Sequence, residues 1–437
     1  MPEEHGTLIL GGGLAGLSLA AFLEDRCLVL EKEAVAGGLC RSYDLGGVKY
    51  DVGPHILFSK NKAVQELHAG MVPTSRLRRS NRIFYKGRFI KYPFENELSA
   101  LPPGERDYCL KEFLDNPYEN HAAANMLQFF LKTFGEGITR TYLQPYNEKI
   151  WKYDPSFMDL QMVGRIPKPP REDVINSAKG AATEGYTHQL YFNYPSQGGT
   201  QSLVDAYVKK PGGRSRLELS AGITAIRKTS SGWEVDAAGG CLRARRLVNC
   251  MPLHELFPLL RLDAPAAVMR ALAALKWNSI HIVMLEAAKD AIGDNFALYF
   301  ADESTIFHRL SKLDFLGPEY RRNDGSSTLM AEVTFRPGSY AGALSLDDVK
   351  ERVVRDLDAT GLCLRRDVRH VEARSFEYAY VIYDVSHRMN ADTVLGWLAA
   401  NGIGAAGRFA EFEYLNMDAV VERTMRLAAK MNGEANS

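Results

Sequence analysis

The chain has 437 residues, 46% of them apolar, and its 53 basic and 53 acidic side chains cancel to a formal net charge of zero. That length exceeds one ordinary domain and calls for two or three. A balanced charge argues against a general nucleic-acid or membrane-surface binder, while leaving room for a local basic pocket around an anionic ligand.

The six cysteines (27, 40, 109, 241, 250 and 363) are scattered without a C-x-x-C pair. They read as reduced thiols rather than a disulfide or metal framework, and no metal site is expected. The opening Met-Pro-Glu-Glu-His is polar and acidic, unlike a signal peptide. No stretch reaches the 18 or so apolar residues of a membrane span. A cytoplasmic protein is expected.

The first element is an apolar run, Thr7 to Leu10, that becomes a glycine turn and then an Ala/Leu-rich helix. Gly11, Gly13 and Gly16 form G-x-G-x-x-G, and a second apolar run, Cys27 to Leu30, ends on Glu31. Strand, turn, helix, strand and acid fall in the register of a dinucleotide-binding βαβ unit. The glycines let the backbone approach a pyrophosphate at the helix N-terminus, and Glu31 would accept from ribose hydroxyls. Gly37-Gly38-Leu39-Cys40-Arg41 follows at once, then Tyr50-Asp51-Val52-Gly53-Pro54-His55. Extra glycine backbone and an arginine beyond the acid suit a longer dinucleotide, FAD, whose diphosphate must be followed towards the flavin. Gly38, Arg41 and Gly53 are therefore cofactor candidates. This start resembles the FAD-binding start of the superfamily of amine oxidases, protoporphyrinogen oxidase and UDP-galactopyranose mutase.

Arg82 to Tyr92 alternates polar and bulky residues around Lys86-Gly87 and reads as a β-hairpin. From Pro102 to Gly137 apolar residues recur at helical spacing. Tyr142 to Trp151 and Met162 to Pro167 are dense in polar and aromatic groups, as a pocket lining would be. Ser202 to Val208 reads as a helix after Gly198-Gly199, with β segments at Leu217 to Lys228, Gly232 to Ala238 and Arg246 to Cys250. Ile280 to Leu285 and Ser327 to Phe335 are buried strands of a sheet expected to roof the flavin. Gly402 to Phe409 is a strand and turn, and a final helix opens near Tyr414 and runs through Met431. Residues 433 to 437 are expected to be a disordered tail.

Taken together these stretches resemble UDP-galactopyranose mutase, more the eukaryotic type than the short bacterial one. The matching elements are Gly53-Pro54-His55-Ile56-Leu57-Phe58-Ser59, Lys91-Tyr92-Pro93-Phe94, Pro145-Tyr146-Asn147-Glu148-Lys149-Ile150-Trp151, Tyr194 to Thr200 and Gly407-Arg408-Phe409. The resemblance implies an α/β fold in which a Rossmann-like FAD-binding domain (1–80, 191–254 and 396–437) is interleaved with two other parts. These are a sheet and helical substrate segment (81–190) and an antiparallel-sheet substrate domain (255–395). It implies an isomerase that interconverts the pyranose and furanose forms of a nucleotide sugar without net redox change, by attack of reduced flavin N5 on the anomeric carbon. FAD in reduced form, a UDP-sugar and an electron donor such as NAD(P)H or a reductase are the implied cofactor and partners, and a homo-oligomer is compatible with it.

Residue by residue, the resemblance makes Arg165 and Arg309 the clamps on the leaving diphosphate. His55 lies on the loop facing the flavin. Tyr299, Tyr380 and Tyr414 surround diphosphate and sugar, Tyr92 and Gln189 meet the uracil, and Trp151 borders the sugar. Ile223 belongs to the segment packing on the adenosine, and Arg408 and Asn416 contact the flavin. Three positions depart from the pattern. Phe315 stands where a diphosphate tyrosine is expected, Gln189 replaces Asn, and Ala297 replaces a larger aromatic. The same chemistry on another nucleotide sugar, or a redox FAD oxidase of the superfamily, are the rival readings.

Overall fold

The computed structural model describes residues 4–166, 168–181, 183–184, 190–210 and 215–435. Two seven-stranded sheets organise it. The first carries the glycine turn. Its strands run in the order Ala225–Thr229, Gly232–Ala237, Gly240–Asn249, Glu4–Leu10, Cys27–Leu30 and Ser215–Glu218, with Ile403–Ala405 also paired to Gly240–Asn249. Glu4–Leu10 lies parallel to both of its neighbours. Leu8, Ile9 and Leu10 are completely buried, as a strand covered on both faces must be. The helix Leu14–Phe22 covers one face, and the last helix, Met417–Ala435, is tied to it by a buried Ser18 Oγ–Thr424 Oγ1 hydrogen bond of 2.8 Å.

The second sheet runs Val368–Ile382, Lys276–Ala287, Ser327–Phe335, Arg309–Lys312, Ala297–Tyr299, Asn81–Tyr85 and Arg88–Lys91. Its pairings are antiparallel except that of Asn81–Tyr85 with Ala297–Tyr299. The sheet is therefore mixed, because the hairpin expected around Lys86-Gly87 docks beside a strand more than two hundred residues away. Ser327–Phe335 is buried along its entire length. The helices Pro103–Leu114, Met126–Ile138 and Gln144–Trp151 send Phe113, Phe134 and Trp151 into one hydrophobic cluster with Ile83 and Ile90 of the second sheet.

Two expectations are corrected. The stretch Leu217 to Lys228 is not one strand: it breaks after Glu218, where the backbone N–H groups of Ser220 and Ala221 donate to Glu33 and Glu31 carbonyls at 3.0 and 2.8 Å. The turn follows from the need to satisfy those carbonyls at the end of the second strand. The final helix reaches Ala435, so residues 433–435 are helical and not a tail. Its last turns are anchored by Arg246 Nη1 on the Met431 carbonyl (2.9 Å) and Asn432 Nδ2 on the Phe22 carbonyl (3.1 Å).

Buried imidazoles make this packing sensitive to acid. His68 is 5% exposed, shares a 3.1 Å hydrogen bond with the Tyr207 hydroxyl, and is pushed down to about 4 by burial. His308, 1% exposed, is held well below its ordinary value by burial and then by Arg309, Lys149 and Lys152. An unfolded histidine titrates near 6.5, so between about 6.5 and 4 the unfolded chain binds more protons than the folded one. Stability is expected to be full above that window and to fall through it as the pH drops. Urea-unfolding midpoints at pH 7 and pH 5 check this, and an unchanged midpoint would contradict it.

Candidate active site

Two glycine segments build the floor of the site. Gly11 turns the chain with φ +105°, and its N–H donates to the Leu30 carbonyl at 2.8 Å. A Cβ on Gly16 would come within 2.0 Å of the Gly11 carbonyl oxygen, so only glycine lets the helix start this close beneath the turn. Gly37 N–H donates to the Gly12 carbonyl at 2.8 Å, laying the second glycine pair against the first. A Cβ on Gly38 would stand 3.3 Å from Gly13 Cα. At one end Glu31, 7% exposed, accepts from the Gly12 N–H at 2.7 Å and the Glu33 N–H at 2.9 Å.

Above this floor lies a cleft of about 870 Å³ lined by Gly11, Gly13, Glu31, Gly38, Arg41, His55 and Arg408. Among the described residues, two buried nitrogens in it have no protein partner, Arg41 Nε and His55 Nδ1. A long cleft with bare backbone below, an acid at one end and unsatisfied polar nitrogens along it fits FAD. His55 is pushed down to about 3 by burial, then by the Arg408 and Arg309 charges, so its ring is neutral at pH 7. Arg408 is fixed by bonds to the carbonyls of Leu415 and Ala379, with its guanidinium 5.1 Å from the centre of the Tyr414 ring. Leu415, Met417 and Val420 bring the start of the last helix to the same cleft.

Aromatic rings cluster beside it, with Tyr414 against the cleft-lining Arg408. Tyr299 has ring neighbours Tyr92 at 4.9 Å and Tyr146 at 5.7 Å, and its hydroxyl accepts from Asn81 Nδ2 at 3.0 Å. Trp151 meets Tyr380 at 5.7 Å and Tyr414 at 5.9 Å edge-on, and Tyr380 and Tyr414 are 5.9 Å apart. Trp151 Nε1 donates to Asn147 Oδ1 at 2.9 Å. Arg309 follows on the neighbouring strand, its charge felt by His55, Tyr146 and Tyr380. Its Nε and Nη2 both donate to the carboxylate of Glu332, which is completely buried. Two of the five guanidinium N–H groups are thus engaged among the described residues.

The helix holding Asn147 and Trp151 is clipped to the loop between Tyr299 and Arg309. Buried Lys149 donates there to the Asp302 carbonyl and, at 2.8 Å, to Thr305 Oγ1. The structure therefore brings together Tyr92, Trp151, Tyr299, Tyr380, Tyr414, Arg309, His55 and Arg408. Gln189 and the side chain of Arg165 lie outside the described residues.

Other candidates sit elsewhere. Gly53 is not in the cleft lining: a Cβ there would stand 3.2 Å from both Arg309 Nη2 and Glu332 Oε2, so it makes room for that pair. Ile223 lies in the link after Ala221, whose N–H donates to the Glu31 carbonyl, and is off the cleft lining. Asn416 is exposed, and its carbonyl accepts from the Val420 N–H at 3.0 Å to open the last helix. Phe315 stacks on Phe296 at 5.2 Å within a separate hydrophobic cluster, and Ala297 is buried on its strand.

Sequence reasoning missed Glu332 and Asn81, and quoted Asn147 within its motif without giving it a role. Glu332 had a signal: a lone carboxylate inside the apolar run Ser327 to Phe335 must find a cation once buried. Among the described residues no cluster of three or more His, Cys, Asp or Glu could hold a metal, and no helix is long and apolar enough to cross a membrane.

Residues 9–70 match the NAD(P)-binding Rossmann-like domain family. All-trans-retinol 13,14-reductase of Danio rerio is 24% identical over 241 residues, a match spanning 44% of this chain and 40% of that relative's length. An Exiguobacterium protein described as a protoporphyrinogen oxidase superposes at a TM-score of 0.77 with 17% identity, over 99% of this chain and 100% of that one. A reduced UDP-galactopyranose mutase superposes at a TM-score of 0.89 with 22% identity, over 99% of this chain and 96% of the other. From end to end, the chain has the fold of UDP-galactopyranose mutase.

Proposed function

We propose that this protein is an FAD-dependent isomerase that interconverts the pyranose and furanose forms of a nucleotide sugar, with UDP-galactose the first substrate to test. One observation carries the reading: a forked, partly buried guanidinium, Arg309, lies close enough to Tyr146, Tyr299, Tyr380 and His55 for its charge to act on them, and His55 also lines the dinucleotide cleft. A diphosphate needs such a cation, and a sugar needs such flat, hydrogen-bonding walls.

Reduced flavin would supply the nucleophile for the anomeric carbon. The chain's own residues do the rest. Arg309 stays charged throughout and holds the diphosphate as it departs and returns, with Glu332 fixing the guanidinium plane. The assignment of Arg165 to the same diphosphate is part of this proposal. Tyr299, Tyr380 and Tyr414 border the sugar and exclude water, while Trp151 is held by Asn147. His55, neutral at working pH, accepts or donates one hydrogen bond through Nδ1 without adding charge beside the two arginines.

The test is direct. Holoprotein reduced with dithionite under nitrogen is given UDP-galactofuranose, and UDP-galactopyranose is sought by chromatography. Turnover only in the reduced state, without oxygen uptake, supports the proposal. Conversion of another nucleotide sugar alone would change the substrate and keep the chemistry. A redox reading has its own support in the match to the retinol reductase and in the fold shared with a protoporphyrinogen oxidase. Steady oxygen uptake or net hydride transfer with no isomerisation would favour it.

A further inference from the structure

The dinucleotide cleft has a second wall, formed by the roof strand Val368–Ile382. Arg374 of that strand faces Tyr43, its guanidinium carbon 4.4 Å from the ring centre. Arg41, from the glycine segment of the first wall, approaches the same ring at 5.6 Å and donates from Nη2 to the Tyr43 hydroxyl at 3.0 Å. Arg41, Tyr43 and Arg374 all line the cleft.

Two cations converging on one aromatic ring repel each other unless something negative comes between or beside them. The protein neutralises them weakly. Glu33 stands 3.7 Å from Arg41 Nη1 on an exposed side chain, and Arg374 donates Nε–H to the Tyr50 hydroxyl at 2.9 Å, with Tyr50 donating in turn to Glu372. Neither guanidinium is locked in a fork like that of Arg309 with Glu332. Arg41 Nε is buried without a partner among the described residues. The two guanidinium groups thus belong to two different elements of one cleft lining that also contains Gly11, Gly13, Gly37 and Gly38, where a pyrophosphate would approach the backbone.

We propose that Arg41 and Arg374, spaced by Tyr43, form a two-walled jaw that closes on the diphosphate of the bound dinucleotide, so that the roof sheet itself retains the cofactor. The inference rests on the FAD reading above and adds to it a binding residue from the sheet opposite the Rossmann-like fold. Tyr43 keeps the two cations at a set separation while the anion is absent and stacks under Arg374 when it is present. Arg374 is a binding residue for the cofactor here, not a catalytic one.

The experiment uses holoprotein and the variants Arg374→Gln, Arg374→Lys and Arg41→Gln. Release of FAD on dilution is followed by the rise of flavin fluorescence, at low salt and at about 0.5 M NaCl. Loss of one charge-assisted contact should speed release roughly 10- to 100-fold in Arg374→Gln, with Arg374→Lys intermediate and the salt dependence reduced. A second arm asks which part of the cofactor is gripped. ADP should slow rebinding of FAD to flavin-stripped protein better than adenosine does, and Arg374→Gln should erase that advantage.

Release rates equal to those of the unaltered protein would overturn the jaw. So would faster release with the ADP advantage intact, since Arg374 would then only tether the roof to Tyr43. Protein that neither carries FAD nor takes it up would fail earlier, at the flavin reading itself.

Discussion

Replacing Arg309 by alanine is expected to lower nucleotide-sugar turnover about 10²- to 10³-fold, the cost of removing a preorganised cation from a developing negative charge. The flavin should stay bound, because Arg309 is not among the residues lining the dinucleotide cleft. Arg309→Lys separates charge from shape. A lysine keeps one positive charge but has no planar fork, so it cannot hold Glu332 with two parallel bonds while also facing a diphosphate. Its turnover should lie between alanine and arginine, with most of the loss in kcat if the contact tightens as the diphosphate leaves. Anaerobic steady-state rates and flavin absorbance on the same samples check both halves. Unchanged turnover in Arg309→Ala would remove the diphosphate clamp from the mechanism.

How far the sequence reached can be traced to the range of each interaction. The glycine turn, Glu31 and the hairpin at Lys86-Gly87 were legible because their signals are local: a glycine spacing, a strand-ending acid, an alternation broken by a turn. The resemblance to the mutase supplied Tyr92 at the base, Trp151 at the sugar and Tyr299, Tyr380 and Tyr414 around diphosphate and sugar, and ring contacts of 4.9 to 5.9 Å join Tyr92 to Tyr299 and Trp151, Tyr380 and Tyr414 to one another. What escaped depends on where a loop turns or on which distant strand lies alongside. Ile223 and Asn416 are each close in sequence to residues at the cleft, Ala221 beside Glu31 and Leu415 in the lining, yet neither is in the lining itself. Gly53 looked like flavin-facing backbone, but its lack of a side chain accommodates an ion pair formed by residues on two other strands. That pair is invisible to any local pattern.

That pair also sets the second large expectation. Glu332 is completely buried, and its carboxylate is matched by the Arg309 fork. Truncation to alanine leaves a guanidinium oriented by nothing and partly withdrawn from water, a defect that costs about 3–5 kcal/mol. Glu332→Gln keeps shape and one acceptor oxygen but removes the charge, so a smaller loss of about 1–3 kcal/mol is expected. Both should show in the urea midpoint, with flavin content unchanged. The kinetic signature differs from that of Arg309→Ala. In Glu332→Gln the cation is still present but held by one acceptor oxygen instead of two, so its plane is less firmly set, and turnover should fall about tenfold without being abolished. Gly53→Ala attacks the same pair from the other side. Its Cβ would stand 3.2 Å from both partners, at a backbone φ of +75° that alanine rarely adopts, and it should reproduce the orientation defect with every charge in place. If Glu332→Gln and Gly53→Ala both turn over like the unaltered protein while Arg309→Ala does not, the charge of Arg309 suffices and its fixed plane is irrelevant to the reaction.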